Sequence, residues 1–143
     1  MQDLTISTGL KEYNINGKCV VCFNPTDPAF INKIFDAFNK LDEKHDEYSK
    51  AINGEEDGKK LFEIARSMDR EMRETINGVL GCDVCTPVFG DMSVYAAADG
   101  LPLWANLLLA IIDEMDDSFA REKKATNPRI EKYTKKFTKR KAV

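Results

Sequence analysis

The N-terminal part of the chain has the residue pattern of a β-hairpin. Residues 11–23 contain two short β-prone runs. Between them stands Asn16-Gly17, the dipeptide that best tolerates the positive φ angles of a type I′ turn. We therefore predict a β-hairpin over about residues 11–23.

Three longer stretches carry hydrophobic residues at spacings of three and four, which predicts amphipathic helices. The first begins at about Pro28, after an N-cap that is either Thr26 or Asp27. The second is closed by Gly81, and the third spans about residues 102–120. The predicted apolar faces contain, helix by helix, Phe30, Ile31, Ile34, Phe35, Phe38, Leu41, His45, Tyr48 and Ile52; Leu61, Phe62, Ala65, Met68, Met72, Ile76, Val79 and Leu80; and Trp104, Leu107, Leu108, Ile111, Ile112, Met115 and Phe119.

The remaining pattern completes one small domain. The chain has 143 residues, of which 43% are hydrophobic, so it can bury a core without disulfides or metal. Residues 81–100 hold Pro87, Gly90 and Gly100 and predict a compact connection with one or two short helical turns. The predicted fold class is mainly α: an N-terminal β-hairpin followed by a three-to-four-helix bundle with a basic C-terminal helical segment. We expect the domain to span residues 1–120.

Charge separates the C-terminal end from the rest of the chain. From Arg121 onward there are 10 Lys or Arg and 2 Glu, whereas the first 120 residues carry 11 basic and 22 acidic side chains. Ile130, Tyr133 and Phe137 recur at helical spacing in this segment, which predicts a short basic amphipathic helix. We expect residues 121–143 to be mobile in the isolated protein and to contact a partner or the acidic body.

The sequence predicts a cytosolic protein without membrane contact. Its longest apolar stretch, residues 101–112, is interrupted by Asn106 and is shorter than the roughly 20 residues of a membrane span. The amino terminus lacks the basic and apolar regions of a secretory signal. In a cytosolic setting the four cysteines are expected to be thiols or metal ligands.

The cysteines form two CxxC pairs, Cys19/Cys22 and Cys82/Cys85, which have the number of thiols of a structural zinc site. However, the first pair lies in a strand-like run, where residues three apart point to opposite faces. We expect buried, unreactive thiols and leave open whether the pairs bind zinc. We predict no cofactor and assign no metal ligands.

Two pairs of carboxylates suggest an enzymatic alternative. Glu71 and Glu74 on the second helix, and Glu114 and Asp117 on the third, are spaced so that two packed helices could share a divalent ion. This resembles the acidic clusters of all-α nucleotide pyrophosphatases. Solvated helix faces of an acidic protein also produce such pairs, and no glycine-rich phosphate loop occurs. We therefore predict no enzyme and no catalytic residues, and keep the metal-dependent nucleotide hydrolase as a second alternative.

A resemblance to a known family favours a different function. The runs Ile15–Gly17 and Cys22–Ile31, and the runs Pro87–Asp91 and Gly100–Trp104 with the helix after them, resemble small proteins encoded between the tail-tube and tape-measure genes of siphophages and prophages of Gram-positive bacteria. Those proteins are grouped with tail assembly chaperones, and the resemblance covers roughly residues 10–120.

The resemblance implies a non-enzymatic chaperone that binds the long, aggregation-prone tape-measure protein and helps to recruit tail-tube protein. Such a protein acts in the cytoplasm of the bacterial host as a homo-oligomer and is absent from the mature virion. The first alternative is a nucleic-acid-binding module that uses the basic segment, although the acidic body would repel a polyanion. Nucleic acid is therefore an unlikely partner.

The predicted partner-binding residues belong to two groups. A chaperone of this kind needs an exposed apolar face rimmed by charge, and Leu103, Trp104 and Leu107 are candidates for it, with the core of the domain as their other interpretation. The second group lies on the basic segment, where a helix with apolar residues among lysines would fit a groove on another protein. Its members are Ile130, Lys132, Tyr133, Lys136, Phe137 and Arg140.

Overall fold

A β-hairpin precedes the helices of this protein, as the fold class predicts. The computed structural model describes residues 1–125 and 128–132, and within them the fold is mainly helical. One further helical turn covers residues 129–132. The other elements are β1 (Lys11–Ile15), β2 (Cys19–Phe23), α1 (Pro28–Gly54), α2 (Gly58–Leu80), α3 (Cys85–Phe89), β3 (Ala97–Ala98), β4 (Leu101–Pro102) and α4 (Leu103–Lys124).

The hairpin forms around the predicted turn. Asn16 and Gly17 have φ angles of 54° and 69°, and the Lys18 N–H donates a hydrogen bond of 2.9 Å to the Ile15 carbonyl. An isolated two-stranded hairpin is at best marginally stable in water. This one is held because the inward residues Val21 and Phe23 of β2 are buried in the core.

Side-chain caps fix the beginnings of both long helices. The Asp27 carboxylate accepts a hydrogen bond from the Ala29 N–H, which identifies Asp27 as the N-cap of α1, and Asp57 does the same for α2 through the Lys59 N–H. Gly81 ends α2 with a left-handed φ of 79°, a conformation that favours glycine. The predicted helix start at Pro28 and the predicted stop at Gly81 are confirmed.

The start of α4 packs against the middle of α1. The Trp104 ring lies edge-on to Phe38, with ring centroids 5.4 Å apart. Its indole N–H donates a 3.1 Å hydrogen bond to Nδ1 of His45. Trp104 therefore buries its ring without leaving its only polar atom unpaired, and the sole histidine of the chain serves as the acceptor.

The later part of α4 packs against the hairpin. Tyr13 stacks on Phe23 and Phe23 stacks on Phe30, with centroids 4.6 and 4.4 Å apart. The Tyr13 hydroxyl donates to the Glu114 carboxylate at 3.0 Å. Since the hairpin covers the beginning of α1 at Phe30, α4 runs antiparallel to α1 from its middle towards its start.

The connection between α2 and α4 contains one short helix, α3, and an element that was not predicted. β3 and β4 form a two-residue ladder around Asp99 and Gly100, whose φ angles are 56° and 79°. Asp-Gly is a preferred dipeptide for such a turn, and the ladder is too short to show as alternation.

Two predicted boundaries need correction. α4 continues to Lys124, four residues beyond its predicted end, so the expected domain boundary at residue 120 falls inside a helix. Basic residues in the last turn favour this extension because they complement the helix dipole.

The burial of three phenylalanines also differs from the prediction. Phe35, Phe62 and Phe119 are predicted to lie on apolar faces but are exposed, since the predicted stripes are wider than the surfaces that neighbouring elements cover.

A polar network fastens the residues after α3 to α2. Nε of Arg73 donates to Asp69 at 3.0 Å, and Nη2 donates to the carbonyls of Gly90 and Met92 at 2.8 and 2.6 Å. The other Asp69 oxygen accepts from the Val94 N–H at 2.8 Å. The Arg73 and Asp69 side chains are only 18% and 20% exposed, so water cannot readily replace these bonds.

We predict that Arg73→Ala lowers the free energy of unfolding by about 2–3 kcal/mol, because it leaves two carbonyls and a half-buried carboxylate without their donor. Urea denaturation followed by circular dichroism measures this. Arg70→Ala is the matched control on the same helix: Arg70 is exposed, and its loss is expected to change stability by less than about 0.5 kcal/mol. Equal effects of the two substitutions would contradict the role of the network.

Candidate partner-binding surface

The apolar face expected at the start of α4 is mostly inside the protein. Trp104 and Leu107 are 2% and 7% exposed, and Leu103 is half-buried. The expectation of exposure is wrong for Trp104 and Leu107, because α1 and the hairpin cover this face of α4. Their other interpretation, as core residues, is confirmed.

The second predicted group is described only in part. Ile130 is 80% exposed and Lys132 also lies on the surface of the turn at residues 129–132. Tyr133, Lys136, Phe137 and Arg140 lie outside the described residues. An exposed isoleucine on a basic segment is consistent with contact to a partner, and this role stays a prediction.

One cysteine from each CxxC pair lies near the other. The Cys19 thiol at the start of β2 is 3.8 Å from the carbonyl of Asp83, the residue after Cys82. Burial raises the pKa of the Cys19 thiol, and the neighbouring Cys82 and Asp83 raise it further. Burial raises the pKa of Cys85 to about 12. Both thiols are therefore protonated and weakly nucleophilic at neutral pH.

The expectation of buried thiols holds for Cys85 and is wrong for the others, since Cys22 and Cys82 are exposed and Cys19 is half-buried. In the ranges 1–125 and 128–132 no group of three or more His, Cys, Asp or Glu residues is arranged to hold a metal ion. The two pairs thus do not converge on a four-thiol site in this conformation.

Two of the four carboxylates that could have shared a divalent ion, Glu114 and Glu71, have other partners. One oxygen of Glu114 accepts hydrogen bonds from Tyr13, Ser118 and Arg121 at 3.0, 3.0 and 2.8 Å. Glu71 pairs with Lys44 at 2.8 Å. These contacts link β1 to α4 and α1 to α2. The two acids therefore have a structural role, in which each connects two elements of the fold.

The far end of the α1–α2 pair forms an open surface. We call residues 49–68 the helical tip: it comprises the last turns of α1, the loop and the first turns of α2. No residue of the tip is buried, whereas Leu41 and Met72, further down the same two helices, are 0% exposed. Tyr48, the residue before the tip, still contacts the connection between α3 and α4, since its ring stacks on that of Tyr95 with centroids 3.8 Å apart.

The helical tip combines apolar side chains with charges of both signs. Phe62 is 76% exposed. None of the apolar tip residues packs against the buried core. The apolar members are Ala51, Ile52, Leu61, Phe62, Ile64, Ala65 and Met68, and the charged ones are Lys50, Glu55, Glu56, Asp57, Lys59, Lys60, Glu63 and Arg66. An exposed apolar patch with a polar rim is typical of a protein-binding surface.

Sequence reasoning missed the tip because periodicity assigns a residue to a face and not to a neighbour. The lengths of the helices carried a signal for the tip. α1 and α2 are joined by a short loop, and α4, with 22 residues, is too short to cover the whole of the 27-residue α1. Within the described residues, no helix has the length and apolar content needed to cross a bilayer.

Comparisons with known proteins add no relative. No protein-family model, no curated protein and no solved structure matches this chain.

The contacts of Glu114 predict a pH dependence of stability. Burial alone would raise the pKa of this carboxyl, but hydrogen bonds from Tyr13, Arg121 and Ser118 outweigh burial and hold the pKa below its ordinary value, which is about 4.3. A lowered folded pKa means that the carboxylate stabilises the fold above the ordinary value, and that this stabilisation is lost as the pH falls through the folded pKa.

We expect Glu114→Gln to lower the free energy of unfolding by about 1 kcal/mol at pH 7 and to lose less stability than the wild type between about pH 5 and pH 3. Denaturant melts at several pH values measure both effects. Asp117→Asn, at an exposed position on the same helix, is the control and should follow the wild-type curve. If the stability of Glu114→Gln and of the wild type changed with pH in parallel, the stabilising role of the Glu114 carboxylate would be refuted.

Proposed function

We propose that this protein is a non-enzymatic tail assembly chaperone of a bacteriophage, which binds the tape-measure protein during tail morphogenesis. It acts in the cytoplasm of the bacterial host, also recruits tail-tube protein, and is absent from the mature virion. The proposal joins the resemblance of residues 10–120 to the chaperone family with one structural observation, the uncovered apolar surface of the helical tip.

The helical tip supports this role through its shape and chemistry. Two antiparallel helices present a groove between them, and an amphipathic partner helix can lay its apolar face into such a groove. Phe62 supplies a large, exposed anchor, and Met68 supplies an adaptable side chain that suits a long partner with varying sequence. A client that is aggregation-prone because of exposed apolar helices would be kept soluble by such cover.

The basic segment supports the same role in a different way. Ile130 is exposed, and the surrounding positive charge attracts acidic stretches of a client over distances longer than those of direct contact. The helical tip itself carries equal numbers of acidic and basic residues. The segment and the tip are therefore chemically different, and they can be tested separately.

The test is co-expression of the chain with the tape-measure protein of its own genome, followed by co-purification. We expect a soluble complex with the wild type. Phe62→Asp should weaken binding by about tenfold or more, because burial of a phenylalanine contributes about 1.5–3 kcal/mol. Met92→Asp is the control, since it changes an equally apolar side chain, 56% exposed, away from the tip. Removal of residues 129–143 measures how much the basic segment contributes to binding of the tape-measure protein.

A tape-measure protein that stays insoluble beside a folded, soluble chain would refute the proposed function. Wild-type binding by Phe62→Asp would refute the helical tip as the binding surface while leaving the function itself standing.

A further inference from the structure

The first ten residues form an arm without regular secondary structure that lies on the outside of the protein. Every residue from 1 to 10 is exposed, and Leu4 and Ile6 are 95% and 78% exposed. Leu4-Thr5-Ile6-Ser7 alternates apolar and hydroxyl residues, which is the pattern of a β-strand with one apolar face. Leu4 and Ile6 stand on the same side of such a strand.

The end of the arm contacts the residue that follows β2. The Asn24 side-chain amide donates a 2.8 Å hydrogen bond to the Thr8 carbonyl, and Asn24 directly follows β2. Gly9 has a φ of 73°, and a Cβ there would lie 2.7 Å from the same amide nitrogen. This contact holds Thr8 beside the end of β2. Because every residue of the arm is exposed, the arm does not fill the space between its own β1 and α4.

An apolar cavity beside β1 has the size to receive such an arm. It measures about 300 Å³ and lies between the hairpin and α4, with Tyr13, Ile15, Leu107, Ala110 and Ile111 among its lining residues. An apolar cavity of about 150 Å³ accepts a group as large as benzene. The space beside β1 therefore has room for about two side chains of the size of leucine and isoleucine.

The edge of β1 next to this cavity is open. Each strand of a two-stranded hairpin pairs on one side only, and its outer N–H and carbonyl groups can accept a further strand. β1 pairs with β2 and with no other strand of the described residues. The chain thus carries an unpaired strand-like arm and an unpaired strand edge that flanks an apolar cavity.

We propose that a second copy of this chain occupies the cavity: residues 2–8 of one copy add as a strand to the outer edge of β1 of the other, and Leu4 and Ile6 enter the space between β1 and α4. Strand addition to a sheet edge is a common mode of recognition, in which backbone bonds give affinity and alternate side chains give specificity. In a two-fold dimer in which the copies exchange arms, the arm and the open edge of β1 of each copy are both paired. This inference goes beyond the proposed function and does not depend on it.

Size-exclusion chromatography with light scattering on the purified full-length chain tests the exchange. The wild type should be a dimer. A donor variant, Leu4→Asp with Ile6→Asp, and an acceptor variant, Ala110→Trp, should each raise the dimer dissociation constant by about tenfold or more, because each loses the burial of apolar side chains. Met92→Asp, at an exposed site outside both the arm and the cavity lining, is the control and should remain dimeric.

Mixing the two variants gives the decisive measurement. The donor variant keeps an open cavity and the acceptor variant keeps an intact arm, so an equal mixture should form a heterodimer although neither variant associates alone. Fluorescence anisotropy of a labelled peptide of residues 1–10 provides a second measurement: the peptide should bind the donor variant and not the acceptor variant. Circular dichroism confirms that both variants are folded.

A wild-type chain that stays monomeric up to about 100 µM, a concentration about a hundred times a dissociation constant of 1 µM, would overturn the proposal. A dimer that persists in the donor variant would equally overturn it. Failure of these tests leaves the tape-measure experiment unaffected, since that experiment probes a different surface.

Discussion

Burial of one face of α4 is the interaction on which the rest of this structure depends. Seven of its residues, from Trp104 to Ser118, are buried. The first of them pack against the middle of α1, whereas Glu114 receives the hairpin through Tyr13. The hairpin could not persist alone, and a pair of helices has too little shared surface to form a complete core. α4 therefore holds α1 and the hairpin in place, although both lie far from it in the sequence.

The direction of α4 decides which surfaces stay uncovered. α4 begins opposite His45 and runs towards the start of α1. It therefore does not extend along the last turns of α1, beyond Tyr48. From His45 to Gly54 the helix continues for about 14 Å. Phe62 is therefore exposed, and the other apolar residues of the tip are only half-buried, as a geometric consequence of where α4 starts. Their exposure is not a defect of packing, since the charged residues around them keep the surface soluble.

Turn and cap chemistry made most of the fold predictable. Asn16-Gly17, Asp27 with Pro28, and Gly81 each specify a backbone conformation through their own side chains or through the lack of one. These local signals placed the hairpin and the ends of the long helices correctly. Burial was harder to predict, because it depends on contacts between elements distant in sequence.

The errors at Trp104 and Phe62 show this difference. Both residues stand on helical apolar stripes of similar strength, yet the first is 2% exposed and the second is 76% exposed. Periodicity describes the helix alone and does not say whether another element lies against it. The arm was missed for a related reason: Leu4 and Ile6 give too short an alternation to stand out, and their partner would be on another copy of the chain.

The two open surfaces lie towards opposite ends of α1, which at 27 residues is about 40 Å long. The cavity beside β1 is near its beginning, whereas the helical tip is at its end. A dimer joined by arm exchange at one end would therefore leave both tips free at the other. Two tips acting together on one long helical client would bind it more tightly than either alone, through a high effective concentration. Each single contact could then stay weak and reversible, which the proposed role of a chaperone that leaves the assembled tail requires.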